Sequence, residues 1–328
     1  MPLREMEEKN TRLVSVIIPA YRHEQYVAQA IESVLNQTYQ NIELLVLDDG
    51  SPDQTWRVIL SLEDRCRQRF SRVKFWRQQN QGICGTLNNL LAEVQGDYVS
   101  RLDSDDLYKP AAIESLQAFL AANQDYGFVV GNNDLIDENG DQVFWTKKRR
   151  NTKRRDQAVY YTFGDYLKHL RPEIDFESDS FGQYLSFFRG NYIGNGYLIR
   201  REIMDQFRFT NEAPQEDHYM LLQIAKRTKL KYIDTIIHSY RWHSHNNIKK
   251  SDKMWIFARR TMRYELELLK AACDEENYKK AEAMLSEEKH KTKLKLGPME
   301  IYKHQTFFAK DCYMLRLGSH IFHLKTKK

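Results

Sequence analysis

The chain has few cysteines, and none is spaced for a shared metal ion or for a disulfide framework. Its 328 residues include four, which are scattered as Cys66, Cys84, Cys273 and Cys312. Zinc sites and small disulfide-rich folds need paired or clustered cysteines, so this spacing disfavours both. Isolated cysteines fit a protein that works in a reducing cytosol.

Long apolar runs and secretion signals are also missing from the sequence. No stretch of about 18 apolar residues exists, so we expect no membrane-spanning helix. The segment MPLREMEEKNTRL is charged and has no apolar centre, which argues against a signal peptide. No Gly-x-Gly-x-x-Gly follows the first predicted strand, and this excludes a dinucleotide-dependent oxidoreductase.

Positive charge is concentrated in two segments, although the formal net charge is only +5. Residues 147–155, KKRRNTKRR, hold seven basic side chains, and residues 289–328 hold ten Lys or Arg against two acids. Such segments indicate a polyanionic partner, such as an anionic lipid surface or a nucleic acid. A solvated helix face is the alternative interpretation. The remaining composition, with 41% hydrophobic residues, is ordinary for a globular protein.

Strand and helix patterns alternate over the first 132 residues. Residues 13–19 and 42–47 are near-continuous aliphatic runs, typical of strands buried on both faces of a parallel sheet. Shorter strands are predicted at 73–76 and 127–131, with helices between them. The pattern predicts an open, mainly parallel α/β sheet, on which ligands bind beyond the carboxyl ends of the strands.

The alternation becomes irregular after residue 132. Residues 190–200, GNYIGNGYLIR, contain three glycines and are predicted as a loop, either shaped for close approach of a ligand or simply irregular. The other predicted elements are a hairpin turn at 137–140, its return strand at 142–145, a helix at 163–170, short strands at 231–234 and 236–242, and one or two helices from 253 to 289.

The strand predicted to end near residue 102 runs into a cluster of acids, Asp103, Asp105 and Asp106. On an extended backbone Asp103 and Asp105 point to one side, where they can share a hard divalent cation that also binds phosphate oxygens. Carboxylates at the end of a buried strand destabilise the fold unless a cation balances them. A polar turn with an aspartate helix cap is the alternative interpretation.

A further candidate carboxylate is Asp217, at the acidic start of a predicted helix. It shares a helix face with Leu221 and Ile224, the side that is expected to pack inward. A carboxylate in that position is either an N-terminal cap or a catalytic group that is kept partly desolvated.

These segments together resemble the family-2 glycosyltransferases, whose catalytic domain has the GT-A fold. The resemblance covers about residues 13–245 and is dense over the first 110. The segments that carry it are SVIIPAYRHEQYVAQAIESVLNQTYQNIELLVLDDGSPDQT at 15–55, Asn80-Gln81-Gly82 with Asn88, GDYVSRLDSDD at 96–106, Glu216-Asp217, and Tyr240-Arg241-Trp242-His243.

The resemblance implies a binding site for a nucleotide-sugar. Residues 19–21 match the loop that packs against base and ribose, and Asp49 matches the group that hydrogen-bonds the uracil. The donor-binding set implied in this way consists of Pro19, Ala20, Tyr21, Asp49, Gly82, Asn88, Asp103 and Ser104.

The resemblance also implies a metal site and a general base. Asp103 and Asp105 match the motif that binds Mn²⁺ or Mg²⁺ on the diphosphate, with Asp105 as the more direct ligand, and His243 matches a late position near the metal. Asp217 matches the base that takes the proton of the acceptor hydroxyl. Asp106 is expected to be a turn or helix-cap residue.

The sequence departs from the family pattern in two places. Processive synthases carry Gln-x-x-Arg-Trp and transmembrane helices, whereas His238 stands here in place of the Gln and no apolar span exists. This favours the addition of one sugar or a few. Residues 147–190 match no family motif; we expect them near the acceptor cleft, where the basic run either meets an anionic acceptor or is an ordinary solvated loop.

The sequence therefore predicts a catalytic domain at 1–250, with a nucleotide-sugar half (1–132) and an acceptor half (133–250), and a helical, basic extension at 251–328. The predicted reaction is the metal-dependent, inverting transfer of a hexose or N-acetylhexosamine from a UDP-sugar to a hydroxyl of a glycan or lipid-linked acceptor, in the assembly of capsule, O-antigen or another surface polysaccharide. We expect a cytoplasmic protein with peripheral contact to anionic membrane through its basic C-terminus, and no nucleic-acid partner.

Two other classes of protein remain as alternatives. A nucleotidyltransferase acting on sugar phosphates also joins a nucleotide site to an acidic metal site, but it needs a glycine-rich, basic loop near the N-terminus, and PAYRHEQ is not one. A non-catalytic binder of membrane surfaces or nucleic acid would rely on the basic segments alone. For nucleic acid we would expect aromatic residues interleaved with basic ones on one sheet face, and the sequence does not show that pattern.

Overall fold

A computed structural model of the chain describes residues 12–244, 246, 251–286, 290–305, 311–317 and 320–324. The chain divides into two compact units. The first consists of Met1–Gln183, Tyr192–Asn211 and Met220–Asn246. The second consists of Tyr184–Asn191, Glu212–Tyr219 and Asn247–Lys328.

The first half of the first unit alternates strands with helices, as the sequence predicts. The aliphatic runs become strands that are buried along their whole length, because both faces of the sheet are covered. The helical segment predicted between the strands at 42–47 and 73–76 is two helices, separated at Leu62. The strands are β1 (Val14–Ala20), β2 (Ile42–Asp48), β3 (Arg72–Arg77) and β4 (Tyr98–Arg101), and the helices are α1 (Val27–Leu35), α2 (Thr55–Ser61), α3 (Glu63–Arg69) and α4 (Gly82–Leu91).

The second half of this unit contains the predicted hairpin and the helix at 163–170. The strands are β5 (Leu107–Tyr108), β6 (Tyr126–Ile136), β7 (Gln142–Trp145), β8 (Asn151–Thr152), β9 (Tyr197–Arg200) and β10 (Lys229–Arg241). The helices are α5 (Ala112–Ala122), α6 (Phe163–Leu170), α7 (Arg201–Met204) and α8 (Glu216–Ala225), of which α8 begins in the second unit. The described strands form a sheet in the order β3-β2-β1-β4-β9-β6-β10-β5.

The predicted fold class is confirmed: the sheet is mostly parallel and is flanked by helices. The pairs β1–β2, β2–β3, β1–β4 and β6–β10 are parallel. Two details of the prediction are wrong. Residues 197–200 are not loop but an antiparallel strand between β4 and β6, and residues 229–241 form one strand with register shifts instead of two strands.

The second unit contains the C-terminal part of the chain. Helices α9 (Ser251–Ala271) and α10 (Glu275–Ser286) agree with the predicted helical extension. The prediction of helix is wrong after residue 289, where the chain forms an antiparallel sheet of β11 (His290–Leu296), β12 (Met299–Gln305), β13 (Asp311–Leu317) and β14 (His320–Leu324). The sequence HKTKLKL alternates basic and other residues with period two, which suits a strand.

Two further expectations concern this C-terminal region. The membrane contact expected of the basic segment at 289–328 is not tested by the structure, and part of that segment, including residues 306–310, lies outside the described residues. Within the part of the chain that is described, no helix is both long enough and apolar enough to cross a membrane.

A buried carboxylate fastens the start of β4 to β2. Glu43 is fully buried in β2 and accepts hydrogen bonds from the backbone N–H groups of Gln95 (2.6 Å) and Gly96 (3.0 Å) and from the Ser15 hydroxyl. The Arg72 guanidinium binds its other oxygen at 2.5 Å. Because a buried charge is tolerated only when it is paired and fully hydrogen-bonded, these contacts should make a measurable contribution to stability.

Replacing Glu43 with Ala removes the acceptor of the Gln95 N–H and the buried charged partner of Arg72. The Gly96 N–H also loses an acceptor but keeps the Ser15 hydroxyl. We expect the free energy of unfolding, measured by urea denaturation, to fall by about 3–5 kcal/mol. The matched control is Glu93→Ala, because Glu93 also pairs with Arg72 (3.4 Å) but is 37% exposed. The control should lose less than about 1 kcal/mol, and equal losses in the two variants would contradict a special role for Glu43.

Candidate active site

Parallel pairing brings the carboxyl ends of β1, β2 and β4 to one edge of the sheet. Ala20 at the end of β1 lies opposite Asp48 at the end of β2, and β4 pairs with the other side of β1. The loops that follow these strands are tied to each other, since the N–H of Asp49 donates to the carbonyl of Ala20 (2.9 Å). The N–H of Arg22 donates to Ser51 Oγ (3.0 Å). The predicted residues that end or follow β1, β2 and β4 are therefore on or beside this edge, whereas Asn88 lies within helix α4.

The first wall of the site is the end of β1. Pro19 and Ala20 belong to the strand and are buried, so the predicted loop begins only at Tyr21. The Tyr21 side chain is 40% exposed, which leaves its ring accessible from solvent. The Arg22 guanidinium lies 5.2 Å from the centre of that ring.

Asp49 holds the N-terminus of α4. Its Oδ1 accepts from Gln78 Nε2 (2.8 Å) and from the N–H of Gln81 (2.8 Å), and its Oδ2 accepts from the N–H of Gly82 (2.9 Å). Gly82 has a φ of +74°, a conformation that favours glycine. Three N–H donors on one buried carboxylate fix the position of Asp49 and satisfy the start of the helix.

Asn88, on the same helix, binds the backbone of Phe209 through its side-chain amide. Its Nδ2 donates to the Phe209 carbonyl (2.9 Å), and its Oδ1 accepts from the Phe209 N–H (2.9 Å). The amide thus braces α4 against the segment that follows α7. This is a structural role that the sequence pattern did not predict.

The acidic residues lie on a turn, not on extended backbone. The N–H of Asp106 donates to the Asp103 carbonyl (3.0 Å). The expectation that an extended backbone directs Asp103 and Asp105 to one side is therefore wrong. Asp103 accepts from Arg101 Nε (2.7 Å) and Asn195 Nδ2 (3.1 Å), whereas Asp105 Oδ2 contacts His243 Nε2 (3.0 Å). Among the described residues no group of three or more His, Cys, Asp or Glu side chains is arranged to hold a metal ion.

The surroundings of Asp105 favour its charged form. Burial raises its pKa, but the hydrogen bond with His243 and the charges of His23 and His243 outweigh burial, so the pKa lies below its ordinary value. His23 Nε2 is 3.8 Å from Asp105 Oδ2, and His23 Nδ1 is 2.8 Å from the hydroxyl of the buried Ser104. Ser104 therefore helps to orient a histidine that faces Asp105.

Asp106 is a buried anchor for β10. Its Oδ1 accepts from the N–H of Arg241 (2.8 Å), and its Oδ2 lies 3.4 Å from His238 Nε2. Burial, together with the charges of Asp105 and Asp103, raises the pKa of Asp106 well above its ordinary value. Burial lowers the pKa of His238 to about 3, which keeps this imidazole neutral.

Three residues of the site were not predicted from the sequence: His23, Asn195 and Arg241. The Arg241 guanidinium donates to the Asp105 carbonyl from Nε (2.6 Å) and to Gln29 Oε1 from Nη2 (2.7 Å). The sequence signals for these residues are weak, because Arg241 stands out only as part of Tyr240–His243 and Asn195 only within the glycine-containing segment at 190–200. Their partners lie far away in the sequence, so no local pattern identifies them.

Asp217 lies in the second unit, in the first turn of α8. Its Oδ2 accepts from Asn191 Nδ2 (3.1 Å), and its Oδ1 accepts from the N–H of His218 (2.7 Å). Leu221 and Ile224 are buried, as predicted for the inward face of this helix. Asp217 itself is half-buried, so it combines partial desolvation with an oriented carboxylate.

Comparison with known proteins identifies the family. A profile of "Glycosyl transferase family 2" matches residues 15–172. An uncharacterized glycosyltransferase of Haemophilus influenzae is 32% identical over 222 residues, which cover 67% of this chain and 74% of the relative. The chain spans only about a third of the length of the uncharacterized glycosyltransferases of Rickettsia that it matches, 35% for that of Rickettsia conorii.

Solved structures with the same fold are less similar in sequence. A mannosyltransferase of Pyrobaculum calidifontis, PcManGT, in complex with GDP-Man and Mn²⁺ has a TM-score of 0.56 at 14% identity, covering 84% of this chain and 74% of that chain. TarS of S. aureus, residues 1–349, in complex with UDP-GlcNAc has a TM-score of 0.55 at 17% identity, covering 78% of this chain and 66% of that chain. These likenesses show the fold alone. The profile match and the 32% identity to the Haemophilus relative show that the chain belongs to glycosyltransferase family 2.

Proposed function

We propose that the chain catalyses the inverting transfer of a sugar, a hexose or N-acetylhexosamine, from a UDP-sugar to a hydroxyl group of a glycan or lipid-linked acceptor, in the assembly of a surface polysaccharide. The observation that carries the proposal is the shared edge of β1, β2 and β4, where an accessible tyrosine, a buried aspartate and an acidic turn meet. In this proposal residues 1–132 bind the donor, residues 133–250 bind the acceptor, and residues 251–328 form a basic extension.

The donor base is assigned to the wall formed by residues 19–21 and Asp49. The exposed ring of Tyr21 offers a flat surface for stacking, and Pro19 and Ala20 form the buried floor beside it. Asp49 Oδ2 accepts one N–H in the structure, and a carboxylate oxygen has two lone pairs, so one acceptor position remains for the N–H of uracil. The UDP-GlcNAc and GDP-Man complexes of TarS and PcManGT support a nucleotide-sugar as the donor class.

The diphosphate and its cation are assigned to Asp105 and His243. Mg²⁺ and Mn²⁺ sites on nucleotides commonly use one or two protein ligands and complete their coordination with phosphate oxygens and water. The contact between Asp105 and His243 is a donor set of this size, whereas Asp103 is held by Arg101 and Asn195 and would need to exchange a partner to take part. When bound, the cation offsets the charge that develops on the leaving diphosphate.

Asp217 is assigned as the general base. The acceptor oxygen attacks the anomeric carbon as the bond to the diphosphate breaks, and the hydroxyl proton passes to the carboxylate. No covalent intermediate is required, so the product has inverted configuration. Asn191 Nδ2 and the His218 N–H each donate to one oxygen of Asp217, which orients the carboxylate, and each oxygen has a second lone pair for the acceptor proton.

Substitution of Asp217 by Asn removes the proton acceptor but preserves the shape of the side chain. We expect turnover, measured as UDP release from a panel of UDP-sugars with Mn²⁺ or Mg²⁺, to fall by about 10²- to 10⁴-fold. UDP affinity should be unchanged. The control is Glu212→Gln, an exposed acid upstream of the same helix whose ion pair with Arg260 is loose (3.9 Å); turnover retained in Asp217→Asn would refute the base assignment.

The assignment of Asp105 can be tested without turnover. Asp105→Asn should weaken Mn²⁺-dependent UDP binding, measured by calorimetry, by about tenfold or more, because it removes the charged oxygen ligand. Asp97→Asn is the matched control, since Asp97 lies at the amino end of β4 and pairs with Arg12 (3.9 Å). If both variants bind UDP with the same dependence on Mn²⁺ as the native chain, Asp105 is not a metal ligand.

Peripheral attachment to anionic membrane through the basic residues after 289 stays a prediction that rests on their charge. Changing Lys291, Lys293 and Lys295 to Glu in the full chain should abolish co-flotation with liposomes that contain phosphatidylserine. A control with equal charge reversal at Arg67, Lys226 and Lys229 should float as the native chain does. Equal flotation of all three proteins would reject the prediction.

A further inference from the structure

The basic run at 147–155 forms the tip and return strand of a hairpin, which we call the basic hairpin (β7, β8 and the turn between them, residues 142–155). The turn is closed by the N–H of Thr146 donating to the Arg150 carbonyl (3.0 Å) and by the N–H of Arg149 donating to the Thr146 carbonyl (2.8 Å). Arg149 has a φ of +54°, which is unusual for a residue other than glycine. The tip therefore has one defined conformation that its contacts must maintain.

Four of its seven basic side chains serve to build the hairpin. The Arg149 guanidinium lies 5.1 Å from the ring centre of Tyr166 and 5.8 Å from that of Trp242. The Arg155 guanidinium likewise lies over the ring of Phe144 (5.3 Å). Lys153 forms an ion pair with Asp141 (2.7 Å), and Arg154 forms one with Asp156 (2.7 Å).

The remaining three cations, Lys147, Lys148 and Arg150, are exposed at the tip. Within the residues that the structure covers, their side chains form no ion pair with an Asp or Glu. Three like charges within four positions repel one another, so the native chain alone gives them no stabilising role. Their charge is available to a ligand.

The hairpin is fixed beside the acidic turn through Trp242. Asn151 Nδ2 donates to the Trp242 carbonyl (3.3 Å), and the rings of Trp145 and Trp242 are 4.6 Å apart. Trp242 is followed directly by His243, whose imidazole contacts Asp105 at 3.0 Å. Trp242 therefore contacts the basic hairpin, and the next residue, His243, contacts the acidic turn. A solvated loop without a function would not need these contacts.

We propose that Lys147, Lys148 and Arg150 bind the negatively charged groups of an anionic glycan acceptor, phosphates or carboxylates carried along its chain. This inference rests on the proposed glycosyl transfer and names the class of its acceptor. An acidic turn and a donor diphosphate both repel an anionic glycan, so such an acceptor needs compensating cations near the point of transfer. The basic hairpin supplies three of them on a rigid support.

Binding of labelled polyanions to the full chain tests the proposal independently of turnover. The probes are polygalacturonate for carboxylates, polyphosphate for phosphates, and dextran as the neutral polymer, followed by fluorescence anisotropy at low and physiological salt. The variant Lys147→Ala/Lys148→Ala/Arg150→Ala should bind one or both polyanions about tenfold or more weakly, with a shallower dependence on salt. Dextran should not bind, and UDP affinity should stay unchanged.

The matched control removes the same charge elsewhere in the first unit, as Arg67→Ala/Lys226→Ala/Lys229→Ala. It should bind both polyanions as the native chain does. Equal losses in the two variants would overturn the proposal, since they would show an effect of net charge alone. A loss of UDP affinity in the hairpin variant would assign these cations to the donor. Vesicles containing phosphatidylserine are included as a further probe, and a loss confined to them would assign the cations to a membrane surface. Either result overturns the proposal.

The same experiment separates this proposal from the proposed function. If Asp217→Asn retains turnover, the base assignment is wrong, but selective binding of polyanions at the hairpin is unaffected. If the polyanions bind equally to the native chain and to the hairpin variant while UDP release depends on Asp217, the transferase assignment stands and the anionic acceptor is rejected.

Discussion

The buried guanidinium of Arg241 connects the elements that form the strand-end site. Its side chain donates to the carbonyl of Asp105 and to Gln29 on α1. Its guanidinium carbon lies over the Tyr26 ring, 4.9 Å from the ring centre. Its backbone N–H donates to the carboxylate of Asp106. A buried cation is stable only while its donors have acceptors, so α1, the acidic turn and the end of β10 must stay in one relative position. The place of Asp105 is thus set by a residue 136 positions later in the chain.

Asp105 and Asp106 are adjacent in the sequence, but their pKa values shift in opposite directions because their surroundings differ. Asp103 is balanced by Arg101, and Asp105 is stabilised in its charged form by His243 and His23. Asp106 is buried beside His238, whose imidazole is neutral and cannot balance a carboxylate charge. Burial and the charges of Asp105 and Asp103 raise the pKa of Asp106. The lowered pKa of Asp105 keeps a charged oxygen ligand at the edge of the sheet, whereas the Asp103 carboxylate is occupied by Arg101 and Asn195.

Much of the fold could be predicted from local patterns, whereas the contacts of the site could not. Continuous aliphatic runs are sufficient to predict β1 and β2, because a strand buried on both faces has no polar alternation. Strand β9 was missed because it has only four residues, and its antiparallel partners lie about 70 and 100 positions earlier in the sequence. The geometry of Asp103 and Asp105 was mispredicted because it depends on a turn, and that turn is stabilised by distant residues. The strands after residue 289 were missed since net charge describes a segment's composition and not its period.

The glycine-containing segment at 190–196 has a clearer role than its sequence suggested. Asn191 donates to Asp217, the proposed base, and Asn195 donates to Asp103 on the acidic turn. Gly196 between Asn195 and β9 has a φ of +82°, and a Cβ at this position would lie 2.7 Å from the Cβ of His238. Only glycine therefore allows the chain to pass β10 so closely and enter β9 directly after presenting Asn195. This segment thus supplies one side-chain amide to Asp217 and another to Asp103. A larger residue at Gly196 would displace the backbone next to Asn195, and the acidic turn would lose the hydrogen bond from Asn195 to Asp103.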